Sequence, residues 1–166
     1  MIRRALALSI LTLAAIPAHA QLSQFGWFGE LAGSCWRGVR QDGKPADEQC
    51  YRAQYNRFLR GTIRFPQGER GPVEGDSVFA YDPNARAIIY TQWASSGGFG
   101  FGEATLEGDE VVFANRMPDG SEAPARSVWR RLDADTFRVS RQRRSEGGWN
   151  DESTVTYTRV RGAPKG

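Results

Sequence analysis

The 166-residue sequence predicts an all-β protein: a single antiparallel up-and-down β-barrel of about 8–10 strands, with a short N-terminal helix or plug. Three observations carry this. Turn-forming residues recur roughly every ten residues beyond residue 34, as at Asp82-Pro83-Asn84, Glu107-Gly108-Asp109, Pro118-Asp119-Gly120 and Glu146-Gly147-Gly148. The segments between them are rich in β-branched and aromatic residues. No stretch after residue 35 keeps the 3.6-residue spacing of a long helix.

The first element is not part of the barrel. Residues 1–20 read as a secretory signal peptide: Arg3 and Arg4, an apolar run from Ala5 to Ile16, then Ala18-His19-Ala20 as a small-x-small cleavage pattern. The run is too short for a membrane span, which needs about twenty residues, so no stable membrane insertion is expected after cleavage. The expected location is periplasmic or secreted. His19 is the only histidine. Its loss with the signal removes Ser-His-Asp and Cys-His catalysis, histidine zinc sites and histidine-ligated haem. No metal and no cofactor is expected.

The formal charge is +3 for the whole chain, and without Arg3 and Arg4 it falls to +1. Apart from Lys44 and Lys165 the side-chain cations are all arginine. Near-neutrality and the absence of a recognised module argue against nucleic acid as a partner. Cys35 and Cys50 predict one disulfide in an exported chain.

Residues 21–34 form an N-terminal segment or short helix, whose Phe25, Trp27, Phe28 and Leu31 need an apolar surface. The barrel covers 35–161, and 162–166 is a flexible tail. Ten strands are expected, near 35–41, 48–56, 58–66, 73–82, 86–95, 99–107, 109–116, 122–132, 135–144 and 152–161. Alternation assigns faces. Phe137, Val139 and Arg141 share one, Val155, Tyr157 and Arg159 another, and Phe99, Phe101 and Glu103 oppose Gly100, Gly102 and Ala104. Several faces run from apolar to polar along the strand. That pattern suits a barrel with a packed bottom and a partly polar upper cavity, and equally a filled barrel whose strand ends reach solvent.

Gly33-Ser34-Cys35-Trp36-Arg37-Gly38 resembles the Gly-x-Trp opening of lipocalin-like barrels, with one extra residue before the tryptophan. Trp36-x-Gly38 also resembles the start of nitrobindin-type barrels; those bind haem through a histidine, so haem is not carried over. Phe58-Leu59-Arg60-Gly61, Glu74-Gly75, Tyr81-Asp82, Tyr90-Thr91-Gln92-Trp93 and Gly97-Gly98 resemble bacterial lipocalin-like domains of unknown function. The resemblance implies a calycin-type barrel in which Trp36 closes one end, and it lends no activity.

The leading function is binding of a small, mostly apolar ligand, with a carboxylate as one form of its polar end. Trp93, beside Ser95-Ser96-Gly97-Gly98, is the candidate to stack on it. Arg126, Arg130 and Arg141 are the candidates to hold an acidic group, because a guanidinium can clamp a carboxylate through two parallel hydrogen bonds. Two other functions fit the same sequence. One is a cofactor-free isomerase or hydrolase using Glu103, whose face it shares with Phe99 and Phe101, as a cavity carboxylate. The other is an envelope interaction module with a filled barrel, capturing partners through a loop or the aromatic segment 25–28. Ligand identity and oligomeric state are not set by the sequence.

Overall fold

The structure, a computed structural model, describes residues 22–66 and 71–160. The expected signal peptide at 1–20 and the tail at 162–166 lie outside the described residues. A 3-10 helix at Ser23–Leu31 precedes ten strands. These are β1 (Ser34–Arg40), β2 (Pro45–Gln54), β3 (Phe58–Phe65), β4 (Val73–Asp82), β5 (Ala87–Ala94), β6 (Phe99–Glu107), β7 (Glu110–Arg116), β8 (Glu122–Arg131), β9 (Thr136–Ser145) and β10 (Gly148–Val160). Each pairs antiparallel with its chain neighbours, and β1 pairs with β10 to close the barrel. The expected all-β up-and-down barrel is the observed fold.

The turns form for the reasons their residues suggest. Asp82 Oδ1 accepts from the Asn84 N–H at 2.8 Å, Asp119 Oδ1 from Ser121 N–H at 2.9 Å, and Asp133 Oδ1 from Asp135 N–H at 2.8 Å. In each case the aspartate mimics a turn of backbone and fixes a short hairpin link. Two strands begin earlier than expected. Strand β2 starts at Pro45 and β10 at Gly148. The first was hidden by the polar run Asp47-Glu48-Gln49. The second carries a bulge between Asp151 and Ser153, which breaks the alternation on which the expected start rested.

The N-terminal segment is both the short helix and the plug. Gly26, at φ 56° and ψ −142°, breaks the 3-10 run and lets two short turns fold under one end of the barrel. Phe28 sits at the centre of the core. Its ring meets those of Phe79 at 5.0 Å, Phe113 at 5.4 Å, Trp129 at 5.6 Å and Tyr51 at 5.9 Å, all edge-on. Phe25, Trp27 and Leu31 are buried beside it. Arg131 clamps the plug through two bonds to the Glu30 carboxylate, at 3.1 and 2.9 Å. Trp36 lies at this closed end, 2% exposed, with its ring 5.1 Å from Phe137 and the Arg159 guanidinium 4.4 Å above it.

Cys35 and Cys50 face each other across β1 and β2 and are joined by a disulfide. A stable disulfide suggests an oxidising, non-cytoplasmic location. No helix among the described residues is long and apolar enough to cross a membrane.

Candidate functional site

The plug fills one end of the barrel, so any functional lumen lies toward the other. The inner side chains of β2 to β7 stand in cross-strand rows. Above the row Tyr81, Ile88, Ala104 and Phe113, which packs on the plug, the first row reads Leu59, Phe79, Tyr90, Gly102, Asn115. The next reads Tyr51, Gly61, Ser77, Gln92, Gly100, and above it come Gln49, Ile63, Gly75 and Ala94. The first row is bulky and closes the floor. The next two are mostly glycine, serine and alanine, so the lumen stays open there.

The glycines are occupied by their neighbours. A Cβ on Gly61 would stand 2.9 Å from the Tyr51 ring, and one on Gly100 3.0 Å from the Gln92 amide. Tyr51 and Gln92 therefore lean against the wall instead of crossing the lumen.

Two adjoining cavities result. One, of about 340 Å³, is bordered by Tyr51, Ser77, Phe79, Gln92 and Trp129 among others. The second, of about 280 Å³, is bordered by Tyr90, Asn115, Ser127, Trp129 and Arg141 among others. They share Phe79, Gln92 and Trp129. Their floor is aromatic: the Trp129 ring lies 5.1 Å from Phe113 and the Phe79 ring 6.1 Å from Tyr90. Tyr90 donates to Asn115 Oδ1 at 2.8 Å, and burial pushes its phenol well above the usual range, so it remains a donor at neutral pH. Gln92 and Ser127 make no side-chain hydrogen bond to another described residue. Their polar atoms are available to a ligand.

A buried polar cluster stands beside the first cavity. Tyr157 donates to Asp47 Oδ1 at 2.7 Å, and the Gln49 amide donates to Asp47 Oδ2 at 2.8 Å and to the Tyr157 oxygen at 2.9 Å. Tyr51 donates to Gln49 Oε1. Burial pushes the Asp47 carboxyl up, and the hydrogen bonds from Gln49 and Tyr157 offset part of that. Burial also raises both phenols. Gln49 and Tyr51 border the cavity, whereas Asp47 holds them from behind.

Of the residues singled out from the sequence, Trp93 borders the first cavity and Arg126 and Arg141 border the second, and of these three Arg141 alone shares the inward register of Ser127 and Trp129. Ser127, opposite Phe113, pairs with Arg141, so both face inward. Arg126 and Arg130 alternate to the outer side of β8; Arg126 still borders the second cavity, whereas Arg130 borders neither. The same strand turns Trp129 into the core, stacked at 5.3 Å on Phe137, and alternation sends its arginines out. Arg126 donates to Gln142 at 2.7 Å and lies 4.4 Å over Trp149, and Arg130 pairs with Glu110.

Trp93 alternates outward, opposite Phe99, because Tyr90 and Gln92 take the inner face of β5, yet both Trp93 and Phe99 border the rim of the first cavity. Glu103 points outward too and meets Arg116 at 3.4 Å. The expected apolar setting of Glu103 is corrected for a steric reason. Gly102 must face the lumen, since a Cβ there would stand 2.1 Å from the Ala114 carbonyl and 2.8 Å from the Tyr90 hydroxyl. Phe99, Phe101 and Glu103 are left outside.

Sequence reasoning missed Trp129, Gln92 and the Asp47 cluster. The signal for Trp129 was the alternation Ala125, Ser127, Trp129, with small residues sharing its face. Cys35, Glu48 and Cys50 bring their ligand atoms within 4.8 Å of one another, but the disulfide removes the thiolates a metal would need.

Fold and lumen together define a closed ten-strand antiparallel β-barrel, plugged at one end and open at the other. No family model matches the chain, and no curated protein is similar to it. Among solved structures, Rv2717c from M. tuberculosis is similar at 20% identity with a TM-score of 0.52, over 89% of this chain and 100% of that one. A redesigned β-barrel is similar at 11% identity and TM-score 0.38, over 79% of this chain and 92% of that one. The likeness to Rv2717c shows the fold alone.

Proposed function

We propose that the protein is an exported, lipocalin-like binding barrel that holds a small, mostly apolar molecule in the lumen above the plug. The observation that carries this is the pair of adjoining cavities over an aromatic floor, open at the mouth, with Gln92 and Ser127 unpartnered. A volume of a few hundred Å³, mostly apolar with a few polar groups, is what small-molecule sites use. Apolar burial against Phe79, Trp129 and Tyr51 supplies the affinity, and the polar rim orients the ligand. The disulfide accords with export.

N-phenyl-1-naphthylamine, a neutral apolar fluorophore, tests the cavity. It should saturate at one per barrel, and Ser77→Phe should abolish that by filling the middle row. No saturable binding to the unaltered protein would remove the cavity as a site. N-terminal sequencing of protein recovered from the envelope of its own host should begin at Gln21; an intact Met1 there would remove the cleaved signal.

A second reading, capture of an envelope partner, draws on one feature. Trp93 and Phe99 are 41% and 69% exposed side by side, turned outward at the rim. The segment 25–28 does not serve such capture, because Phe25 and Phe28 are fully buried in the plug.

A further inference from the structure

Resting on the cavity reading above, we infer that the ligand is an aromatic monoanion, with its ring over the Phe79–Trp129 floor and its acidic group on Arg141. The cations at the mouth point to an anion. Strand β9 turns Arg141 and Arg143 to the inner wall, opposite Ser127 and Ala125. Glu152, at the β10 bulge, meets both: its carboxylate lies 3.4 Å from Arg141 Nε and pairs closely with Arg143 Nε. Two guanidiniums against one carboxylate leave one positive charge facing the lumen.

Among the described residues no other acid neutralises it. Asp76 at the cavity rim is paired with Arg60 at 3.3 Å, and Asp47 is committed to Tyr157 and Gln49. Arg143 holds Glu152 more closely than Arg141 does, so Arg141 is the guanidinium free to exchange its partner for a ligand oxygen. It borders the same cavity as Ser127 and Trp129. A carboxylate on Arg141 would have the Ser127 hydroxyl as a second donor nearby. Arg126 also borders this cavity, but Gln142 and the Trp149 ring hold its guanidinium on the outer side. The one uncompensated cation turned inward selects a single negative charge, since a second would be desolvated without a partner.

The aromatic part follows from the floor. The apolar surface bordering the two cavities comes largely from rings, among them Tyr51, Phe79, Tyr90, Phe113 and Trp129. Faces and edges of rings offer a further ring both stacked and T-shaped contacts. A flexible alkyl chain would gain area there but no such geometry, and it would lose more rotamer freedom on binding.

Calorimetric titration of the disulfide-bonded protein with four probes tests the inference: 2-naphthoate, 2-naphthamide, naphthalene-2,6-dicarboxylate and decanoate. We expect 2-naphthoate to bind at least ten-fold tighter than each of the others. Arg141→Gln should erase its advantage over 2-naphthamide and leave the amide's affinity within two-fold. Glu152→Gln should tighten 2-naphthoate, because both guanidiniums are released; that gain cannot arise from a folding defect.

Equal affinity for the acid and the amide, or an unchanged acid affinity in both variants, would overturn the anionic part. Preference for decanoate would overturn the aromatic part. In either case the cavity reading would stand on N-phenyl-1-naphthylamine. Failure of that fluorophore and all four probes alike would instead sink the cavity reading itself.

Discussion

At the scale of single residues, Asp47 is the most exacting position. It is buried without a cation in contact, and its two oxygens accept from Tyr157 and Gln49. Burial raises its carboxyl above the ordinary 3.8, so the folded protein keeps this proton to higher pH than the unfolded chain does. Above pH 3.8 the folded state therefore binds more protons at this site, and its stability falls as pH rises through the raised pKa. Asp47→Asn removes that titration. Urea unfolding at about pH 4 and 7 should show a smaller loss of stability on raising the pH in the variant than in the parent. An equal loss in both would mean that Asp47 is ionised as easily in the barrel as in the open chain. The offset between variant and parent at one pH is a separate matter, since the Gln49 amide must turn to face a new donor. None of this was legible in the sequence. Asp47 stands in a run of polar residues that reads as a loop, and only the register with Ile63 and Thr62 shows that Gln49 points in while Cys50 points out.

At the scale of elements, strand positions were legible and strand orientation was not. Ten segments were expected and ten strands form, because turn chemistry at aspartates and glycines is local and the strands between are long enough to alternate. Alternation separates two faces but does not say which is inner. In β6 the aromatic face reads as the core face, yet the core takes the glycine face, because Tyr90 and the Ala114 carbonyl already fill the space. In β8 a single large ring decides the same question, and Trp129 carries Arg126 and Arg130 outward. The plug was legible as an apolar segment in need of a surface, and its 3-10 geometry was not, because Gly26 interrupts any helical spacing. Its energetic weight concentrates in Phe28, whose ring meets four rings of the barrel wall besides that of Trp27. Phe28→Ala should cost about 3–5 kcal/mol in urea unfolding, the usual range for a large core ring removed. A cost below ~1 kcal/mol would show that the barrel folds without its plug.

At the scale of the whole molecule, the question is what holds the barrel shut. Nine of the ten seams join strands adjacent in the chain, whereas the tenth joins β1 to β10 with Cys35 opposite Val160 and Arg40 opposite Val155. That seam is the slowest to form by loop closure and has no covalent bond across it. It is held by the ladder, by Arg159, which reaches from β10 to Ser34 of β1, and by the Tyr157 hydroxyl of β10, which bonds Asp47 and Gln49 of β2. The disulfide joins β1 to β2, strands that a short hairpin already brings together. Its sequence separation of 15 corresponds to about 3 kcal/mol of loop entropy removed from the unfolded chain. The bond therefore acts mainly on the unfolded state. Replacing Cys35 and Cys50 together by serine should lower the melting temperature by roughly 10 °C, from that ~3 kcal/mol and the usual slope for a domain of this size. The lumen should survive: below the new melting point N-phenyl-1-naphthylamine should still saturate at one per barrel, with near-unchanged affinity, because both sulfurs lie on the outer wall. Loss of that binding with the fold still cooperative would mean that the disulfide tensions the β1–β2 wall and sets the position of Gln49 and Tyr51 beside the cavity.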